Sequence, residues 1–267
     1  MPERLKGCGT ALVTPFTKDG AVDEEALRAL IDWQIAEGID FLVPCGSTGE
    51  AVTMTPAEHR RVVEITVEQV KGRVPVCAGA GSNDTAKAIA LSKEMKAAGA
   101  THLLHVSPMY NKPPQRGIVA HFERIADATD LPIVVYNVPG RTGSNIEPKT
   151  TLALAKVRNI VAVKEASGNL GQIADILRER PEGFAVLSGD EAVEARRDID
   201  GGPESFVVHG WSVLVACNVP MRRRMLDVGA TDRWLRRLLD GDDGRSFSTP
   251  TSGEAHPLAG RLLEGAS

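Results

Sequence analysis

A lysine that ends a short apolar run is the residue in this sequence best suited to covalent chemistry. Lys164 follows Ile160-Val-Ala-Val163, and such a β-branched run is typical of a strand buried on both faces of a parallel sheet. Because burial disfavours the charged ammonium, a lysine there is a candidate for a neutral amine that forms an imine with a carbonyl substrate. The alternative is a surface lysine whose charge pairs with Glu165.

Five other candidate side chains also follow apolar runs. The chain has two tyrosines, Tyr110 and Tyr136, and each lies at or just past the end of such a run; the alternative to a functional role is amphipathic packing at a strand end. Arg141, in a Pro-Gly-Arg turn, suits bidentate binding of a carboxylate, unless it is a solvated turn residue. Ser47 and Thr48 combine hydroxyls with glycine-flanked amides that suit an anionic group, or they serve only turn and helix-cap chemistry.

These candidates are spaced along a regular alternation of strand and helix patterns. Asp23 is a suitable N-cap for the first helix, and Thr55-Pro-Ala-Glu58 is a capping box at the start of the second. Seven such units with no intervening linker predict an α/β protein whose parallel strands close into a (β/α)8 TIM barrel. A doubly wound open sheet is the alternative, but no Gly-x-Gly-x-x-Gly follows the first strand. Active sites of barrels lie on the loops after the strands, where all six candidates fall.

The pattern changes after Asp190. An eighth strand is expected within residues 206–216, but little apolar periodicity precedes it, and beyond Gly241 the chain is rich in Gly, Ser, Thr, Pro and charge. We therefore predict a barrel over residues 1–216 and a short, diverged C-terminal helical segment and tail over residues 217–267.

Composition excludes several classes of function. A formal net charge of −4 gives no basic footprint for nucleic acid or an anionic membrane. The sequence has no apolar run long enough to span a bilayer and no hydrophobic N-terminal signal, so a cytoplasmic protein is expected. The four cysteines stand singly, which predicts buried thiols, and the six histidines form no His-Glu-x-x-His pattern, which predicts no metal site.

Five motifs in order along the chain together resemble one family. They are Gly46-Ser-Thr-Gly-Glu50, Ser107-Pro-Met-Tyr-Asn-Lys-Pro113, Tyr136-Asn-Val-Pro-Gly-Arg-Thr-Gly143, Val163-Lys-Glu-Ala-Ser-Gly-Asn169 and Leu187-Ser-Gly-Asp190. The set strongly resembles the dihydrodipicolinate synthase (4-hydroxy-tetrahydrodipicolinate synthase) family, pyruvate-dependent class I aldolases of lysine biosynthesis. The resemblance covers residue 7 to about residue 190.

The resemblance implies a mechanism for the candidate residues. Lys164 would form an imine with pyruvate, whose carboxylate would lie against Ser47 and Thr48. Loss of a methyl proton would give an enamine that attacks the aldehyde of aspartate semialdehyde. Tyr136, Ser47 and Tyr110 match the proton relay of the family, in which Tyr110 is supplied across a dimer interface.

The resemblance also implies substrate contacts and partners. Arg141 matches the arginine that holds the carboxylate of the semialdehyde, and Gly189 matches a position lining the pyruvate pocket. No metal or organic cofactor is implied, and a homodimer or homotetramer is expected.

Departures from the family pattern limit what the resemblance implies. Arg141 favours the synthases over the related N-acetylneuraminate lyases and sugar-acid aldolases, which remain one alternative; a non-catalytic degenerate barrel is the other. Lys87 and Met109 replace a carboxylate and an aromatic residue of lysine-inhibited relatives, which predicts weak or absent inhibition by lysine. The C-terminal motifs of the family are not recognisable, through divergence or through a shifted reading frame.

Overall fold

The structure, a computed structural model, describes residues 5–189 and the backbone of residues 205–209. The predicted helical segment and tail, the boundary after residue 216 and Cys217 lie outside the described residues.

The described strands form one parallel eight-stranded sheet: β1 (Gly7–Ala11), β2 (Phe41–Val43), β3 (Cys77–Gly79), β4 (His102–Val106), β5 (Ile133–Asn137), β6 (Ile160–Glu165), β7 (Ala185–Ser188) and β8 (Ser205–His209). The strand order is β2-β1-β8-β7-β6-β5-β4-β3. The two ends of this order also meet, because Leu42 of β2 forms a parallel bridge with Val76, and the Gly79 N–H of β3 donates to the Pro44 carbonyl over 2.9 Å. The predicted (β/α)8 barrel is confirmed.

Seven helices of the described chain follow the strands: α1 (Glu24–Ala36), α2 (Pro56–Val70), α3 (Thr85–Ala97), α4 (Gln115–Ala128), α5 (Pro139–Thr142), α6 (Pro148–Leu154) and α7 (Leu170–Glu179). Their starts follow local rules, since Asp23 accepts a hydrogen bond from the Ala26 N–H and Thr55 forms the predicted capping box with Glu58. No helix in the described ranges combines the length and apolarity needed to cross a membrane.

The length of β1 and the start of β8 are two points where the strands differ from the sequence pattern. The pattern of the first strand extends to about Phe16, but β1 ends at Ala11. Pro15 has no N–H to donate to a ladder, and Phe16 instead forms an antiparallel bridge with Val22. The strand β8 begins at Ser205, one residue before the predicted range, and residues 210–216 of that range lie outside the described residues.

Alternate residues of the strands point into the barrel and form its core. This cluster contains Leu5, Ala11, Phe41, Val43, Cys77, Leu104, Val134, Tyr136, Val138, Ala162, Ala185 and Leu187. On β6, the inward parity of Ala162 is shared by Lys164, whereas Glu165 faces the helix layer. The barrel therefore directs the lysine and the neighbouring acid to opposite sides of one strand.

Candidate active site

Lys164 lies at the carboxyl end of β6 and is buried. Only 2% of its surface is exposed, so it is not the surface lysine that the sequence left open. Burial thus takes the amine of Lys164 out of bulk water. The position fits a residue that must attack a carbonyl inside the mouth of the barrel.

Tyr136 stands beside Lys164 on the adjacent strand. The register of β5 and β6 pairs the two residues directly, and the Lys164 Nζ lies 4.4 Å from the centroid of the Tyr136 ring. Burial raises the pKa of the Tyr136 phenol above its usual value, while the positive charge of Arg141 acts weakly in the opposite direction. The phenol is therefore protonated at neutral pH and can donate a proton or a hydrogen bond next to the lysine.

Gly189 leaves the space that the Lys164 side chain occupies. A Cβ at this position would lie 2.5 Å from the Cε of Lys164 and 3.1 Å from its Cγ. The backbone is fixed there because the Gly189 N–H donates to the Glu165 carbonyl over 2.9 Å. The glycine to which the family resemblance assigns a place in the pocket wall thus also leaves the space through which the lysine side chain runs.

The loop after β2 presents Ser47 at the surface of the protein. The N–H of Gly49 donates to Gly46 and that of Glu50 to Ser47, over 3.1 and 3.2 Å, so two amides serve the turn. The Ser47 side chain is exposed and its hydroxyl forms no hydrogen bond within the described part of the chain. Thr48 is half-buried. The Ser47 hydroxyl is thus an exposed polar group of this loop.

Arg141 and Tyr110 lie on two loops that are tied together. Arg141 is exposed on α5, a short helix that the sequence presented only as a turn. Tyr110 has a left-handed backbone, with φ of 67°, and its N–H donates to the Thr142 carbonyl over 3.1 Å. Its ring is 88% exposed, so the chain by itself does not bring Tyr110 to Lys164.

Cys77 lies in the barrel interior near the lysine. Burial raises the pKa of its thiol to about 12, with the Lys164 charge acting in the opposite direction, so the thiol stays protonated. Cys8 and Cys45 are likewise buried thiols, as predicted.

Among the described residues, no group of three or more His, Cys, Asp or Glu side chains is placed to hold a metal ion.

Sequence reasoning missed Glu165 as a residue of interest. Its side chain is 1% exposed, and it is bonded to amide groups rather than to Lys164. The available signal was an acid at the end of a buried strand, with amide residues near the ends of neighbouring elements.

Comparison with known proteins places this site in a family. A family model for the dihydrodipicolinate synthetase family matches residues 4–207. The chain belongs to the dihydrodipicolinate synthetase family. A curated relative from Koribacter versatilis, named 4-hydroxy-tetrahydrodipicolinate synthase, is 58% identical over 191 residues, which are 71% of this chain and 64% of the relative. The match thus spans less than two thirds of that relative.

Solved structures of the family share the barrel. A dihydrodipicolinate synthase from Cyanidioschyzon merolae, solved with lysine bound, is 38% identical with a TM-score of 0.74 and coverage of 88% of this chain and 76% of that one. The chloride-inhibited enzyme from Acinetobacter baumannii, solved with pyruvate, is 33% identical with a TM-score of 0.73 and coverage of 88% and 79%.

Proposed function

We propose that this protein condenses pyruvate with aspartate semialdehyde to give 4-hydroxy-tetrahydrodipicolinate. The observation that carries the proposal is the buried Lys164 amine facing the Tyr136 ring at the carboxyl end of the barrel. The names of the relatives support the same reaction, and the pyruvate complex of the Acinetobacter baumannii enzyme supports the first substrate.

The reaction begins with attack of the Lys164 Nζ on the keto carbon of pyruvate. The carbonyl oxygen leaves as water, and a protonated imine remains. Loss of a proton from the methyl group gives an enamine, whose carbon bonds to the aldehyde carbon of the semialdehyde while the aldehyde oxygen takes up a proton. Attack of the semialdehyde amine on the imine carbon then closes the ring and releases Lys164. No metal or organic cofactor takes part in these steps.

We assign to the other site residues the roles that the family resemblance implies. Tyr136, which is protonated and next to Lys164, exchanges protons with the reacting oxygen and nitrogen, in a relay with Ser47 and with Tyr110 of a neighbouring subunit. Ser47 and Thr48 hold the carboxylate of pyruvate, beside the pocket wall at Gly189.

The imine is tested by adding pyruvate and borohydride and measuring the intact mass. The wild-type protein and the exposed-lysine control Lys156→Ala should gain one reduced pyruvate adduct, and Lys164→Ala should gain none. An unmodified wild-type protein, or an adduct that persists in Lys164→Ala, contradicts the proposal and favours a non-catalytic barrel.

The second substrate is tested in a coupled assay. Arg141→Ala should raise the KM for aspartate semialdehyde tenfold or more, since a bidentate guanidinium contact is lost, and should leave imine formation with pyruvate unchanged. The exposed Arg116→Ala serves as the control. Turnover of N-acetylneuraminate or a 2-keto-3-deoxy sugar acid instead of the semialdehyde would favour the related aldolases.

The protein's location and assembly complete the proposal. We propose a cytoplasmic homodimer or homotetramer, with no nucleic-acid or membrane partner.

Inhibition by lysine is expected to be weak or absent. The exposed Lys87 would repel the amino groups of bound lysine. Loss of turnover at millimolar lysine would contradict this expectation.

A further inference from the structure

Glu165 is a buried acid whose carboxylate, within the described part of the chain, accepts hydrogen bonds from amides. Asn137 Nδ2 donates to both of its carboxylate oxygens over 3.0 and 3.1 Å. Gln172 Nε2 donates over 3.0 Å, and the Ser167 N–H over 2.9 Å. Among the described residues, no cationic side chain forms an ion pair with it. All of these groups are donors, so they match the acceptor oxygens of a carboxylate.

The amides around Glu165 are also bonded to one another. Asn137 Nδ2 donates to Asn145 Oδ1 over 2.8 Å, and Asn145 Nδ2 donates to Gln172 Oε1 over 2.7 Å. The backbone N–H of Ile146 donates to Asn137 Oδ1 over 2.9 Å. We call Glu165, Asn137, Asn145 and Gln172 the amide cage. It joins the ends of β5 and β6, the segment that follows α5, and the first turn of α7.

The residues of the amide cage are adjacent to, or bonded to, segments that carry residues of the proposed active site. Glu165 and Asn137 are paired in the register of β5 and β6, one step beyond the pair Lys164 and Tyr136. The bonds from Asn137 to Asn145 and Ile146 fix the end of the segment that starts with Arg141 on α5. The Glu165 carbonyl also accepts the Gly189 N–H, and so anchors the glycine beside the lysine.

We propose that Glu165 is a positioning residue, whose buried carboxylate holds Lys164 and Tyr136 in line and fixes the Arg141 segment through the amide cage. This inference rests on the proposed function. A carboxylate is needed rather than an amide, because a glutamine would turn an NH2 group toward the NH2 groups of Asn137 or Gln172. That misfit leaves buried donors unpaired and loosens the two strand ends.

The test compares Glu165→Gln with Glu123→Gln, a matched change at an exposed glutamate of α4. The rate of imine formation is measured by adding pyruvate, quenching samples with borohydride at successive times and determining the fraction of reduced adduct. The temperature is one at which circular dichroism shows that each variant is folded. Glu165→Gln should form the imine at least tenfold more slowly and should raise the KM for aspartate semialdehyde, since small misplacements of reacting groups are costly. Glu123→Gln should match the wild type in both.

A second variant covers the case in which Glu165→Gln does not fold. Gln172→Met keeps the size of the side chain but removes one donor to Glu165 and the acceptor for Asn145. Gln172→Met should slow imine formation several-fold. If Glu165→Asp folds, its rate of imine formation should lie between the rates of Glu165→Gln and the wild type. A loss of thermal stability with the wild-type rate of imine formation would mean that the carboxylate is structural only, which overturns the inference.

The outcomes separate this inference from the proposed function. If the wild-type protein forms no imine, the proposed function fails and the positioning role fails with it. If the wild-type protein forms the imine and folded Glu165→Gln forms it equally fast, only the positioning role is overturned.

Discussion

At the scale of single residues, the chemistry of Lys164 is set by what surrounds it. The amine is removed from water, lies over the Tyr136 ring and runs past a glycine that leaves room for it. The tyrosine and the glycine that contact Lys164 come from segments that are distant from it in sequence.

The close approach of Gly189 and Lys164 gives a sharp prediction. Gly189→Ala places a Cβ about where the Cε of Lys164 passes, so the lysine must shift and imine formation with pyruvate should slow at least tenfold. The control Gly171→Ala, on α7, adds a methyl group with one ordinary contact and should react at the wild-type rate. Equal rates for all three proteins would show that the lysine adapts without cost.

At the scale of elements, the layer between β4 and the helices α3 and α4 contains buried histidines. His105 faces Ser92 of α3, with its Nε2 3.2 Å from the hydroxyl. Its Nδ1 has no hydrogen-bond partner in the described structure. Burial, together with the charge of His121, lowers the pKa of His105 to about 3. The folded protein therefore holds this residue neutral at pH values where the unfolded chain would protonate it.

The lowered pKa predicts how stability depends on pH. Below about pH 6.5 the unfolded state binds a proton that folded His105 does not, so the free energy of unfolding falls as the pH drops from 6.5 toward 3. This one group contributes up to about 1.4 kcal/mol per pH unit. In urea titrations between pH 7 and pH 5, His105→Gln should be less stable than the wild type at pH 7 but should lose less stability on acidification. Parallel curves for the two proteins would contradict the assignment.

At the scale of the whole molecule, the proposed relay is incomplete in one chain. Tyr110 is almost fully exposed in a left-handed turn, and its loop is attached to the segment that carries Arg141. An exposed aromatic side chain fits a residue that acts in the active site of a second copy, as the family resemblance implies. The loop between β4 and α4 would then form part of the interface between subunits.

Subunit complementation tests this arrangement. Lys164→Ala and Tyr110→Phe should each be nearly inactive alone. Co-expression of differently tagged copies, followed by isolation of mixed dimers, should recover turnover at one of the two sites, because that site combines an intact Lys164 with Tyr110 from its partner. A single-chain sedimentation coefficient, or inactive mixed dimers, would show that Tyr110 does not act across an interface.

The sequence by itself determined the local elements of the protein. Helix starts at Asp23 and Thr55 follow from capping groups within three residues, and the strands follow from short apolar runs, so alternation alone predicted the barrel. The order of motifs predicted the family and the identity of the candidate residues. Capping groups and apolar runs involve residues that are close together in the chain, and the motifs occur in a fixed order along it. Both kinds of signal can therefore be recognised in the sequence without the tertiary structure.

Only the tertiary structure decided which candidates meet. The register of β5 and β6 places Tyr136 beside Lys164, and burial of Glu165 among amides depends on residues far apart in sequence. The sequence likewise did not predict that Tyr110 is exposed or that Arg141 lies on a short helix. Burial and side-chain neighbours depend on how the strands pair, and a local sequence pattern does not contain that information. The sequence therefore named the lysine as a candidate, and the packing of segments that are distant in sequence buried it beside Tyr136 and Gly189.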